Sequence, residues 1–166
     1  MVVGTDFSEG AARALERAIE LAAGLRASIA CVHAYEDEPG TPFAQDRAPD
    51  LRARVEEAIV ASGASALGVH VTVFVRRGPA WDKLLNVASE LGAGVIVVGA
   101  GGVGQAPRQA SLGTVAARLA ATSTRMVLLV PSYMGAPQEL EERVTLSHCE
   151  RDSPAVISAV PPRSCR

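Results

Sequence analysis

The stretch Val95-Ile96-Val97-Val98-Gly99-Ala100-Gly101-Gly102-Val103-Gly104 decides how this chain is read. Its first four residues are apolar, with no polar interruption. A strand with one wet face alternates; an uninterrupted one is buried on both faces, as in a parallel sheet. The glycines that follow end the strand and open a loop. Without side chains, their backbone N–H groups can converge on an oxygen atom.

Working outward, the same alternation of strand and helix recurs. Met1–Thr5 is an apolar run, read as a strand. Ser8 offers an N-cap, and Gly10–Leu25 carries apolar residues at Ala11, Ala14, Leu15, Ala18, Ile19 and Ala22, one helical face. Ser28–Ala34 is a second strand, and Glu36–Pro49, with its prolines, a loop. Asp50 caps a helix expected over Leu51–Leu67. Val69–Arg76 is a third strand. Gly78-Pro79 opens a helix running to Leu91. Val95–Gly99 is the fourth strand, Gly99–Ser111 the glycine-rich loop, Leu112–Thr122 a helix and Met126–Val130 a fifth strand. This order predicts an α/β, Rossmann-like domain: an open parallel sheet with helices on both faces. Such sheets bind ligands beyond the carboxyl ends of their strands, where strand order reverses. Interest therefore falls on Thr5-Asp6, His33-Ala34, Arg76-Arg77-Gly78 and Gly99–Gly104.

Composition bounds the rest. A chain of 166 residues predicts about one domain, and 48% hydrophobic content supplies a sizeable core. The net charge of −2 and 4% aromatic content argue against a nucleic-acid partner. No segment reads as a signal peptide. The longest uncharged stretch, Leu91 to Pro107, is crowded with glycines, whereas a membrane span needs about 20 mostly apolar residues. No membrane association and a cytoplasmic location are the expectations. Cys31, Cys149 and Cys165 form no CxxC pair, and Cys31 reads as a small buried hydrophobe. His33, His70 and His148 lack metal-ligand spacing, so no metal site is expected. From residue 132 to 166 the chain reads as a proline-rich tail, largely disordered and outside a domain over residues 1–131, with one short helical stretch at Glu139–Val144.

Gly99, Gly101 and Gly104 satisfy GxGxxG as a string. A dinucleotide fingerprint, however, passes directly into a helix and is followed by an acid about 20 residues later. Here Pro107 intervenes, and no Asp or Glu lies between Leu91 and Gln138. A Walker A loop is also excluded, because the only lysine is Lys83. Two readings of the loop stand side by side. The glycines make a tight turn and Thr114 supports the helix start, or the loop and the N-terminus of the next helix hold an anion. Asp6 has two readings as well. It caps the next helix, as Ser8 also can, or it accepts hydrogen bonds from a ribose diol.

Val2-Val3-Gly4-Thr5-Asp6-Phe7-Ser8 resembles the opening of the universal stress protein family, and Cys31-Val32-His33-Ala34 resembles its second strand. Val95–Gly99, the glycine loop, Leu112-Gly113-Thr114-Val115-Ala116 and Met126–Pro131 resemble its closing signature. The resemblance implies a five-stranded sheet of order 3-2-1-4-5 and a homodimer. It also implies binding of ATP or a related adenine nucleotide, with or without Mg²⁺, by a regulatory stress-response module. Thr5 and Ala34 would then lie against adenine, and Asp6 and Gly99 beside the ribose. Gly102, Gly113 and Thr114 would hold phosphates, and Gly101, Gly104 and Val115 would belong to the same nucleotide site. The family's ATP-binding pattern G-x2-G-x9-G-[S/T] is met with one departure. Ten residues separate Gly102 from Gly113, and eight separate Gly104 from Gly113.

That departure keeps a second hypothesis in play, a dimeric interaction protein of the same family that binds no nucleotide. An efficient enzyme is not expected, since no nucleophile constellation or carboxylate cluster shows in the sequence; slow ATP hydrolysis is the most that is foreseen. The apolar edge strand Met126–Val130 is the expected dimer contact, because exposed edges tend to be covered; the tail is the other candidate cover.

Overall fold

A computed structural model describes residues 1–36, 47–101 and 112–131. The expected tail over 132–166, its helical stretch at Glu139–Val144 and most of the glycine-rich loop lie outside the described residues.

The first strand, β1 (Val2–Thr5), leads through a tight turn into α1 (Glu9–Leu25). Ser8 is the N-cap as expected, its Oγ accepting the Ala11 N–H at 3.2 Å. Ala11, Ala14, Leu15, Ala18, Ile19 and Ala22 form the buried stripe of α1. Next come β2 (Ile29–Tyr35) and α2 (Ala48–Ala61). Here the expectation of one helix over Leu51–Leu67 is corrected. The helix begins earlier, at an Arg47 N-cap with proline in its first turn, so Asp50 lies inside that turn and is not the cap. It stops at Ser62 because Gly63 turns the chain with φ +71, and a separate short 3-10 turn, Ala64–Leu67, follows. A second left-handed glycine, Gly68 at φ +67, then delays β3, which runs over Val71–Arg77. The remaining elements are α3 (Ala80–Glu90), β4 (Val95–Gly99), α4 (Thr114–Thr122) and β5 (Met126–Val130). Pro79 is the N-cap of α3, and α4 begins two residues later than expected because Gly113, still extended, is its cap.

The sheet is fully parallel with order β3-β2-β1-β4-β5. Val3 aligns with Cys31 on one side and Val97 on the other. Alternation along the strands separates two apolar layers. Val3, Cys31 and Val97 pack with α1 and Val55 of α2, and Val2, Val32, Ile96 and Val98 pack with Leu84 and Val87 of α3 and Leu119 of α4. Each such fully buried aliphatic side chain contributes roughly 1.5–3 kcal/mol of transfer free energy.

Two predictions arise here. Cys31 is wholly buried among apolar neighbours, and burial pushes its thiol from 9.0 up to about 12. The neutral form is therefore favoured in the fold. That preference is fully present below pH 9 and fades as the pH rises toward 12. With Cys149→Ser and Cys165→Ser in place, native protein at pH 8 is expected to modify with a thiol reagent only as fast as it unfolds, and immediately in denaturant. Gly24 lies in the last turn of α1 with nothing within 4 Å of where a Cβ would stand. Gly24→Ala is expected to raise stability by about 0.5–1 kcal/mol, read from the urea midpoint.

Candidate functional site

Strand order reverses at β1, whose neighbours β2 and β4 continue the chain on opposite sides. Connections after the two halves of the sheet diverge there, leaving a crevice at the carboxyl edge. A cavity of about 270 Å³ occupies it, just below the roughly 300–1,000 Å³ of ligand clefts. Its floor comes from Gly4, Val32 and Val98, its side from Ala80 and Leu84 of α3, and its rim from Thr5, Asp6, Ala34, Gly99 and Gly101. Ala11 of α1 and, at the start of α4, Gly113, Thr114, Val115 and Ala116 complete it.

Eight of the residues singled out in the sequence thus line one cavity: Thr5, Asp6, Ala34, Gly99, Gly101, Gly113, Thr114 and Val115. Gly102 and Gly104 lie outside the described residues. Sequence reading did not place Gly4, Ala11, Val32, Ala80, Leu84, Val98 or Ala116 in the site. Their signal was available only in part, because a small residue in a first helical turn is common and its partner across the crevice is not written locally.

Backbone contacts set the shape. The Ala100 N–H donates to the Val130 carbonyl and the Gly113 N–H to the Ala100 carbonyl, both at 2.7 Å. These bonds draw the start of α4 to the end of β4. Gly113 has no side chain, so no side-chain acceptor caps α4 there. The first N–H groups of a helix lack partners within it and carry the positive end of its dipole, which favours an anion. Gly99 approaches α1 so closely that a Cβ on it would stand 2.9 Å from the Gly10 carbonyl carbon.

The turn carrying Asp6 is held by several bonds. The Phe7 N–H donates to Thr5 Oγ1 at 3.3 Å. Asp6 Oδ1 accepts the Ser8 N–H at 3.0 Å and the Ser8 hydroxyl at 2.5 Å. Asp6 therefore holds the cap residue and is not itself the N-cap. Phe7 has φ +63, unusual for a bulky side chain and costing about 1–2 kcal/mol. His33 Nδ1 meets the Thr5 carbonyl oxygen at 2.9 Å. A carbonyl only accepts, so Nδ1 carries the proton. Among the described residues no group of three or more His, Cys, Asp or Glu side chains is arranged to hold a metal ion. No helix among them is long and apolar enough to cross a membrane.

Residues 1–131 match the family model described as the universal stress protein family. This chain belongs to that family. A universal stress protein crystallised in complex with cAMP is 30% identical, with a TM-score of 0.63 over 80% of this chain and 96% of that one. A family protein from Burkholderia pseudomallei is 26% identical, with a TM-score of 0.57 over 78% of this chain and 93% of that one. The universal stress protein from Archaeoglobus fulgidus in complex with dAMP shares the fold at 22% identity and a TM-score of 0.57, over 78% of this chain and 94% of that one. No curated protein matches the chain. The sheet order expected from the universal stress protein resemblance is the order observed.

Proposed function

We propose that this chain binds an adenine nucleotide, with ATP as the expected ligand, and works as a regulatory stress-response module in the cytoplasm. The observation that carries the reading is the meeting of Asp6, Ala34, Gly99, Gly101, Gly113 and Thr114 at one cavity from distant parts of the chain. The apolar walls, Val32, Leu84 and Val98, suit a flat base, with Thr5 and Ala34 at its edge. Asp6, an acceptor lining the same cavity as Gly99, takes the ribose diol in this reading. The N–H groups at Thr114 and Val115, in the first turn of α4, suit phosphate oxygens. Mg²⁺, if it accompanies the nucleotide, is carried on the phosphates in this reading. The relatives crystallised with cAMP and dAMP support the same ligand class.

The test is mass spectrometry of the denatured, freshly purified protein for co-purified nucleotide, followed by calorimetry with ATP, AMP and adenosine. Micromolar ATP binding that weakens as phosphates are removed is expected. No heat at millimolar ATP overturns the reading and leaves the nucleotide-free interaction protein.

A homodimer through β5 belongs to the same proposal. β5 is an edge strand, and its apolar Met126 is 69% exposed. Pairing of such an edge removes unpaired backbone groups from solvent. Light scattering at micromolar concentration is expected to give twice the chain mass; a monomer overturns this part alone.

A further inference from the structure

We propose that Phe7, held by Arg54 and His33, is the positioning residue of the site: it locks the β1–α1 turn in the conformation that presents Asp6 to the cavity. The role of Asp6 in this inference rests on the nucleotide reading above; the locking of the turn does not.

A left-handed backbone at a phenylalanine persists only when its surroundings over-determine it. A glycine at position 7 would adopt φ +63 without strain. At phenylalanine the strain must be offset, and besides the hydrogen bonds within the turn the side chain supplies contacts from two other elements. The Arg54 guanidinium of α2 lies 4.1 Å from the centre of the Phe7 ring. The His33 ring of β2 lies 4.5 Å from it, tilted by 40°. His33 also donates to the Thr5 carbonyl, on the other side of Asp6. Both chain neighbours of Asp6 are thus clamped, one by a hydrogen bond and one by ring contacts. Phe7, His33 and Arg54 are absent from the lining of the cavity. They act on a ligand only through Thr5 and Asp6, and α2 becomes a part of the site without touching it.

The experiment compares wild type with Phe7→Gly, Phe7→Tyr and Arg54→Met. Amide hydrogen exchange across residues 5–10 is measured in nucleotide-free protein, ATP affinity by calorimetry, and global stability by urea. Arg54 is exposed, so its replacement leaves the core intact. In Phe7→Gly, exchange in the turn is expected to accelerate about tenfold or more and ATP affinity to fall about tenfold, beyond any change in the urea midpoint. Arg54→Met is expected to shift both by about threefold, the scale of an exposed cation–ring contact. Phe7→Tyr keeps the ring and is expected to retain wild-type values.

Unchanged exchange in Phe7→Gly and Arg54→Met overturns the lock. Faster exchange with unchanged ATP affinity overturns its role in positioning Asp6. Wild-type protein that binds no ATP overturns the nucleotide reading and with it the positioning of Asp6 for a ribose, while the exchange rates still decide the lock.

Discussion

Replacing Asp6 by alanine is expected to weaken ATP binding by about 10- to 100-fold. A ribose diol donating to an ionised carboxylate makes charge-assisted bonds, each worth about 1.5–3 kcal/mol, and one such loss already costs a factor of ten or more. The fold should lose far less. Asp6 Oδ1 accepts two hydrogen bonds from Ser8, at 3.0 and 2.5 Å, both exposed. Their removal leaves Ser8 as the cap of α1 and costs roughly 1 kcal/mol. Asp6→Asn keeps the shape and one acceptor oxygen while removing the charge, so it should fall between wild type and Asp6→Ala. Calorimetry with ATP, paired with urea unfolding, separates the two effects. Full affinity in Asp6→Ala would remove Asp6 from the site.

Gly99→Ala is expected to be the most damaging single-methyl change at the crevice. The added Cβ would stand 2.9 Å from the Gly10 carbonyl carbon, 3.0 Å from its oxygen and 3.1 Å from the Gly101 oxygen. All three are backbone atoms, so no side chain can swing aside. Either the N-terminus of α1 retreats from β4 or the end of β4 bends. Overpacking of this kind costs typically about 1–3 kcal/mol, a substantial share of the roughly 5–15 kcal/mol that stabilises a domain. Because the displaced atoms border the cavity, ATP affinity should fall as well. Gly94→Ala is the control: nothing lies within 4 Å of its Cβ position, and its urea midpoint should stay close to wild type. Equal midpoints for the two variants would show that Gly99 and Gly10 do not need their close approach.

Much of this architecture is legible in the residues because its causes are local. Val95–Val98 is apolar at every position, and so it is covered on both faces; the stripe from Ala11 to Ala22 faces the core because helical period places it there. The cap at Ser8 is likewise a three-residue signal. The break at Gly63 was less visible, since a glycine inside a helical pattern can be absorbed or can take a positive φ, and the neighbours decide which. In the candidate site, residues just after strands were found by the rule that ligands bind at the carboxyl edge. The Phe7, His33 and Arg54 cluster was not. Its members come from β2, α2 and a turn, and the φ of Phe7 is a tertiary outcome that no residue type announces.

The separation of the two apolar layers has a consequence for how such a protein can diverge. The floor of the cavity, Gly4, Val32 and Val98, belongs to the layer beneath α3 and α4, together with Leu84. The other layer, Val3, Cys31 and Val97 against α1, contributes none of these three residues to the cavity lining. Val32, Leu84 and Val98 are at once cavity wall and buried core, so any exchange that reshapes the cavity draws on the stability of this layer, while the opposite layer stays intact to carry the fold through the change.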